Sequence, residues 1–210
     1  RDLFDLDAQP QRISEQLSKD PLLAASVAHY PGLRVPGAFD GFELGVRAIL
    51  GQQVTVKAAT TLSSRVAQRF GEPLATPWPE LSRLPPTAES LATATLDAIA
   101  SLGIVSARSQ AIQALAQACA SGTLRFNGAV NPEVVQQQLL ALKGVGPWTA
   151  SYIAMRALRW PDAFPKEDIA IRNNLGGVSA KVAEQLSQVW RPWRSYAVLH
   201  IWKSLTPGKK

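Results

Sequence analysis

Apolar residues spaced three and four apart recur along nearly the whole of this 210-residue chain. That spacing is the period of one face of an α-helix. Few stretches alternate apolar and polar residues with the period of two that marks a half-buried strand. Glycine and proline close most of the apolar stretches. The pattern therefore predicts an all-α fold of helices joined by short turns.

Start and stop residues place the helices, and the three-to-four spacing gives each helix an apolar stripe. A first stretch, 1–37, is predicted to be a lead-in that packs on the helical core, followed by a main helical domain over 38–205 and a tail over 206–210. The predicted helices and stripes are 54–70 with Ala59, Leu62, Val66 and Phe70; 106–121, capped by Ser106, with Ile112, Leu115 and Cys119; one opened by Asn131 and Pro132 with Val135, Leu139 and Leu142; one opened by Pro147 with Ile153, Ala157 and Trp160; one capped by Ser179 with Val182, Leu186 and Val189; and a last one opened by Pro192.

Composition excludes several kinds of site. The single cysteine, Cys119, excludes a disulfide within the chain and a four-thiolate cluster, and two histidines are too few for an ordinary zinc site. No apolar run approaches the ~20 residues of a membrane span, so we expect an intracellular protein, cytoplasmic and nucleoid-associated if bacterial. The 22 basic against 16 acidic residues give a net charge of +6. This balance suits a polyanionic partner.

The turn over 142–149, Leu-Lys-Gly-Val-Gly-Pro-Trp-Thr, lies between two predicted helices. It is so short that glycine is needed to supply its backbone angles. The N–H groups at the start of the following helix form an anion site, and a DNA phosphate fits that site. The alternative is a turn that only connects two helices.

An acidic pair, Glu167 and Asp168, opens a short amphipathic segment about twenty residues further on. Aspartate at a helix start most often serves as an N-cap. A catalytic role for Asp168 is the alternative, and the two roles are compatible in one residue.

These segments resemble the helix-hairpin-helix DNA glycosylase superfamily. The hairpin, about 134–160, contains Leu-Lys-Gly-Val-Gly-Pro-Trp-Thr-Ala-Ser-Tyr at 142–152 and is followed by Asp168. Segments 31–37, 42–54 and 193–202 narrow the resemblance to the 3-methyladenine DNA glycosylase II type. The match covers nearly the whole chain, in the same order.

The resemblance implies a fold of two interlocked helical lobes with the active-site cleft between them. It implies a monomeric enzyme that binds double-stranded DNA containing alkylated bases, flips such a base out of the duplex and hydrolyses its bond to deoxyribose. Bases of the 3-methyladenine type are the expected substrates, with 7-methylguanine as a further candidate. A helix-hairpin-helix module that binds DNA without catalysis is the alternative function.

The resemblance also assigns roles to single residues. Asp168 matches the catalytic carboxylate, which stabilises positive charge on the sugar or polarises a water; Glu167 is given a supporting role. Gln53 matches the wedge that fills the gap left by the flipped base, and an ordinary exposed glutamine is its alternative. Base-pocket positions are matched by Trp148, Tyr152 and Trp202, and DNA-contacting hairpin positions by Lys143, Gly144, Gly146 and Thr149.

Relatives that also nick DNA carry a lysine nucleophile at the position occupied here by Trp148. The resemblance therefore implies hydrolysis by water without strand cleavage. Lys143 precedes the turn and is not expected to replace that nucleophile. No cofactor is expected to be required. The family's hairpin binds a monovalent cation, sodium or potassium, through main-chain carbonyls that would be those of Leu140, Leu142 and Val145.

Relatives of this type also carry a small β-rich domain ahead of the helices. This chain begins at about the point where that domain would end.

Overall fold

The computed structural model describes residues 1–127 and 130–205, and the predicted tail at 206–210 lies outside them. Within the described residues the regular structure is helical, apart from one isolated antiparallel bridge between Pro73 and Arg83. The prediction of an all-α fold is confirmed. The α-helices are α1 Pro10–Leu17, α2 Pro21–His29, α3 Gly41–Leu50, α4 Val56–Phe70, α5 Ala88–Thr93, α6 Leu96–Ala100, α7 Ser106–Ala120, α8 Pro132–Ala141, α9 Pro147–Ala157, α10 Ile169–Asn174, α11 Ala180–Leu186 and α12 Arg194–Leu205, with short 3-10 helices at Asp2–Phe4 and Ser187–Trp190.

The chain divides into two compact units. The first unit contains Arg1–Phe39 and the described residues from Ala154 onward, and the second unit is Asp40–Ile153. The domain boundaries at 37/38 and 205/206 remain predictions.

The second unit is built around α7. Helices α3 and α5 pack against α7, and their contact buries Ile49, Leu91, Ile112 and Leu115 completely. Asn131 caps α8 as predicted, since its side chain accepts hydrogen bonds from the N–H groups of Glu133 and Val134. The predicted cap at Ser106 is wrong, because Ser106 is already the first residue of α7 and the residue before it makes no side-chain cap bond.

In the first unit, α12 packs against α2 and α10. Ser179 caps α11 as predicted, through a bond from Val182 N. Two predicted positions differ: Trp160 lies beyond the end of α9 at Ala157, and the last helix begins at Arg194 rather than at Pro192.

The predicted stripe of α11 is wrong by one residue. Val182, Leu186 and Val189 are exposed, whereas the parallel row of Ala183, Ser187 and Trp190 is buried. The buried row contains Trp190, and a buried indole removes a large apolar area from water. Its Nε1 also donates to Asp20 Oδ2 at 2.6 Å.

The longest described helices, α4 and α7, have 15 residues each. In the described part of the chain, none of the helices combines the length and the apolar character needed to cross a bilayer.

Candidate active site and nucleic-acid interface

The turn between α8 and α9 contains two glycines with different roles. Gly144 has a φ of +88°, and a Cβ there would lie 2.8 Å from the Cβ of Ala111 on α7. Both the left-handed backbone and the close packing therefore require glycine at this position. A Cβ on Gly146 would meet nothing within 4 Å. The backbone at Gly146 is thus open to the approach of a ligand.

The start of α9 is the positive end of a helix dipole. The first hydrogen bond of the helix runs from Ala150 N to Gly146 O at 3.0 Å. The first turn of an α-helix lies ahead of its regular backbone bonds, which gives this end a partial positive charge. Since α9 has 11 residues, its dipole adds to the attraction of a negative group at this end.

The predicted DNA contacts of the hairpin differ in exposure. Lys143 and Gly144 are exposed and Gly146 is half-exposed. Thr149 is only 2% exposed, and its hydroxyl oxygen accepts a hydrogen bond from Gln52. Thr149 therefore has little surface to offer to DNA.

Two neighbouring glutamines follow α3 and have opposite environments. Gln53 is exposed and has a φ of +53°, a left-handed conformation that side-chain-bearing residues adopt rarely. Gln52 is half-buried, and its Nε2 donates to Gly144 O at 3.1 Å and to Thr149 Oγ1 at 3.0 Å. Gln53 thus lies at the tip of a loop, as a wedge requires, and Gln52 joins this loop to the hairpin. Sequence reasoning missed Gln52, since only the tertiary contact distinguishes it from its neighbour.

Trp148 and Tyr152 lie one turn apart on α9 and stack, with ring centroids 5.1 Å apart and planes inclined by 7°. Both rings line a cavity of about 270 Å³, whose other walls come from α3, the 51–55 loop and α4. Two of the three predicted base-pocket residues are therefore together in the second unit. Trp202 is half-buried on α12 of the first unit, and its place in the pocket remains a prediction.

Asp168 is buried at 8% exposure and caps α10, where its Oδ1 accepts a hydrogen bond from Ile171 N at 2.9 Å. The N-cap role is confirmed. A tight turn precedes it, closed by a bond from Asp168 N to Pro165 O at 2.8 Å. Glu167 is half-exposed. Backbone and side-chain contacts therefore fix the position of the Asp168 carboxylate.

A buried charge network holds the segment that leads to Asp168. The Arg194 side chain is 5% exposed, and its Nε and Nη2 donate to Asp162 Oδ1 and Oδ2 at 2.8 and 3.0 Å. Its Nη1 donates to Glu184 Oε1 at 2.9 Å. The same guanidinium lies over the ring of Phe164, with Cζ 5.9 Å from the centroid. Bidentate geometry and the additional partner satisfy the buried charges.

Ser195, next to Arg194, fixes the backbone of the same segment. Its hydroxyl oxygen lies 2.7 Å from Trp160 O and 3.0 Å from Ala163 O. The segment over 160–164 is therefore held at both its main chain and its side chains, four residues before the carboxylate.

Helix α12 also carries two buried titratable groups. Burial lowers the pKa of His200 to about 4, and a hydrogen bond of 3.0 Å joins its Nδ1 to Ser26 Oγ. The Tyr196 hydroxyl donates to Asp5 Oδ2 at 2.7 Å, and burial with this carboxylate raises the pKa of Tyr196 well above its usual value. Both groups are thus neutral near pH 7 and link α12 to the first thirty residues.

Metal-binding side chains do not cluster in residues 1–127 and 130–205: no group of three or more His, Cys, Asp or Glu is placed to hold an ion. Of the carbonyls predicted to hold a monovalent cation, those of Leu140 and Leu142 lie at the end of α8, where helix carbonyls lack intrahelical partners, and that of Val145 lies in the turn. The carbonyl of Leu142 already accepts a bond from Val145 N at 3.1 Å, and a second lone pair remains on that oxygen. This neutral set of oxygens fits a hard, weakly held cation.

Comparison with known proteins places these features in a family. Residues 46–192 match the HhH-GPD superfamily base excision DNA repair protein family, and residues 1–40 match the AlkA N-terminal domain.

Two curated relatives are similar over nearly the whole chain. DNA-3-methyladenine glycosylase 2 of Escherichia coli is 41% identical over 200 residues, which is 95% of this chain and 68% of that protein. A probable bifunctional transcriptional activator/DNA repair enzyme AlkA of Mycobacterium tuberculosis is 42% identical over 209 residues, 98% of this chain and 42% of that protein. The chain thus spans less than half the length of the mycobacterial relative.

Solved structures show the same fold at lower identity. The 3-methyladenine DNA glycosylase of Archaeoglobus fulgidus has a TM-score of 0.76 and 20% identity, covering 93% of this chain and 69% of its own. A DNA-3-methyladenine glycosidase of Bacillus halodurans has a TM-score of 0.73 and 23% identity, covering 96% and 91%.

Proposed function

Since the chain belongs to the HhH-GPD superfamily of base excision DNA repair proteins, we propose that it is a monofunctional glycosylase that removes alkylated bases from double-stranded DNA. Bases of the 3-methyladenine type are its proposed substrates, with 7-methylguanine as a second one. A monomer is the proposed acting form. One observation carries the proposal: α9 presents the two stacked rings of Trp148 and Tyr152 beside a cavity, directly after the open backbone of Gly146.

The two stacked rings favour alkylated purines, and Arg47, which also lines the cavity, is paired with Glu43 at 3.5 Å. Methylation at N3 or N7 leaves the base positively charged, and aromatic faces attract a cation by roughly 0.5–2 kcal/mol each. Such a base is also a good leaving group. The pocket then needs to stack on the base and hold it, and it does not need to protonate it.

Asp168 is the proposed catalytic residue. As the base leaves, positive charge develops on the sugar, and a carboxylate beside it stabilises that charge or polarises the attacking water. The buried, capped position of Asp168 supports the proposal, because a carboxylate that is already fixed needs no reorganisation during the reaction.

Water is the proposed nucleophile. Nicking relatives have a lysine where this chain has Trp148, and Lys143 lies before the turn, on the exposed side of the hairpin. The product is then an intact abasic site. Borohydride trapping tests this step, because only an imine between an enzyme amine and the sugar is reduced to a stable crosslink. We expect no crosslink; a strong crosslink that Lys143→Ala abolishes would assign the nucleophile to Lys143.

Base release decides between the enzyme and a module that only binds DNA. The chain is incubated with methylated duplex DNA, and the released 3-methyladenine and 7-methylguanine are separated by chromatography. Release of either base supports the proposal. Salt-sensitive binding to duplex DNA without any release would show the binding module, in which Asp168 would serve only as the cap of α10.

The hairpin carbonyls of Leu140, Leu142 and Val145 are proposed to hold sodium or potassium when DNA is bound. Such an ion supplies positive charge beside a phosphate. Replacing the alkali cation by a tetraalkylammonium ion at equal ionic strength should weaken DNA binding, since the larger ion cannot enter between the carbonyls. Unchanged affinity would contradict the cation site.

A further inference from the structure

Gln52 connects two elements of the second unit that have separate proposed contacts with DNA. It belongs to the loop that carries Gln53, and its amide reaches the hairpin at Gly144 and Thr149. We propose that Gln52 is a positioning residue that couples phosphate binding at the hairpin to insertion of the Gln53 loop. This inference rests on the proposed function and deepens it.

Both donors of the Gln52 amide are used. The NH₂ group has two hydrogens, and the two acceptors, Gly144 O and Thr149 Oγ1, lie at 3.1 and 3.0 Å. The amide orientation follows from the acceptors, because the opposite orientation would place Gln52 Oε1 against the Gly144 carbonyl oxygen. The connection between loop and hairpin is therefore directional and specific for a donor group.

The hairpin side of this connection is rigid. Gly144 packs against α7, where even an added Cβ would lie 2.8 Å from Ala111. Thr149 is buried in the first turn of α9. The hairpin therefore gives the Gln52 amide two fixed acceptors, so a phosphate bound at the hairpin and the Gln53 loop share one frame.

The loop side is strained and exposed. Gln53 has a φ of +53°, and such a conformation persists only where the surrounding structure holds it. Its exposed side chain makes it the part of the loop that can enter a duplex. Gln52 is the adjacent residue and is hydrogen-bonded to the hairpin. Its hydrogen bonds therefore set how far the Gln53 side chain extends towards the duplex.

The test compares two substrates that differ in the free energy needed to flip the base out of the duplex. One duplex carries an alkylated base opposite its normal partner, and the other carries it opposite an abasic site, where less pairing is broken. Gln52→Ala should slow single-turnover release of the paired base about 10-fold, the scale of two lost hydrogen bonds. Release of the unpaired base should change by less than about 3-fold. Gln52→Glu should behave like Gln52→Ala, because its carboxylate cannot donate to Gly144 O.

Gln113→Ala is the matched control. Gln113 is another half-buried glutamine of the second unit, and its Nε2 donates to Ala94 O at 2.6 Å without touching the hairpin or the loop. If glutamine side chains serve only stability here, both variants should lower the melting temperature and leave the ratio of the two rates unchanged. The proposal requires that only the Gln52 variants change that ratio.

Fluorescence of 2-aminopurine placed beside the target base gives a second readout that needs no bond cleavage. Binding should increase the fluorescence less with Gln52→Ala than with the wild type or Gln113→Ala. Equal fluorescence and equal rate ratios would overturn the role of Gln52. A wild-type protein that releases no base would instead overturn the proposed glycosylase activity, and the fluorescence would still decide the role of Gln52.

Discussion

The hairpin of the second unit and the Asp168 segment of the first unit are held in place by different forces. Around the hairpin, the contacts are neutral: a glutamine amide, a threonine hydroxyl and a close glycine-alanine packing. Before Asp168, a buried arginine is paired with Asp162 and Glu184. Each neutral contact contributes little to the free energy of unfolding. A substitution that leaves a buried charge without its partner lowers that free energy much more. Substitutions in the two regions should therefore have effects of different size and kind.

The largest expected effect is on stability, in the first unit. Arg194→Met leaves the 6%-exposed Asp162 without its bidentate partner, and we expect a loss of about 3–5 kcal/mol in the free energy of unfolding. Urea denaturation measures it. Arg191→Met is the control, because Arg191 contacts the same carboxylate from a 48%-exposed side chain and should cost less than about 1 kcal/mol. Equal losses would contradict the distinction between buried and exposed pairs.

The next effect is on chemistry. Asp168→Asn should reduce base release by about 100- to 1000-fold, the range for removal of one preorganised group. Asparagine caps a helix as well as aspartate does, so folding and DNA binding should be retained. Single-turnover release and a binding titration separate the two. A greater loss with Glu167→Gln would shift the catalytic assignment by one residue.

The third prediction concerns mild acid. His200 has a pKa of about 4 in the folded protein and about 6.5 when unfolded, so the unfolded chain binds the proton first. Stability should be flat above pH 6.5 and fall as the pH decreases towards 4, by up to about 3 kcal/mol.

Urea titrations at several pH values measure this dependence. The difference between wild type and His200→Gln isolates the buried imidazole, and His29→Gln is the exposed control. Both histidines belong to the first unit, so the second unit should contribute nothing to this part of the dependence. Parallel curves for wild type and His200→Gln would refute the assignment.

The smallest effects separate the two glycines of the hairpin. Gly144→Ala should cost at least about 1–2 kcal/mol of stability, because alanine is strained at a φ of +88° and its Cβ would lie 2.8 Å from that of Ala111. Gly146→Val should change stability by less than about 0.5 kcal/mol, since its side chain enters open space.

The affinity for DNA should change in the opposite order, with the larger loss in Gly146→Val. Gly146→Val should weaken binding by about 10-fold or more, the scale of one hydrogen bond to a charged group, and equally on every sequence, since phosphates carry no sequence information. A fluorescence anisotropy titration on two unrelated duplexes measures both points. Sequence-dependent weakening would mean that the hairpin contacts base edges.

Local sequence patterns predicted the helix caps, which depend only on residues close together in the chain. The caps at Asn131, Ser179 and Asp168 were all correct, because a cap is a bond between a side chain and an N–H two or three residues later. Asp168 illustrates the limit of such reasoning. Its cap follows from the residues around it, but the Asp162–Arg194 pair that holds the preceding segment joins residues 32 positions apart.

Periodicity failed where two faces competed. On α11 the sequence offered Val182 and Leu186 as the buried row, and the structure buries Ala183 and Ser187 instead. Trp190 lies in the buried row, and two contacts stabilise it there. Its indole packs against Phe164 and donates a hydrogen bond to Asp20. Neither partner is adjacent in the chain, so hydrophobicity along the helix could not identify the buried face.

The sequence by itself determined the helical class, most helix ends, the glycine turn and the charge that suits DNA, because these depend on backbone angles, local hydrogen bonds and composition. Only the tertiary structure decided that Gln52, and not Gln53, turns back to the hairpin, and that Trp148 and Tyr152 stack beside a cavity. Two adjacent glutamines have the same chemistry and the same propensities. What distinguishes them is the position of a carbonyl 92 residues away, and chain folding alone brings that acceptor within reach.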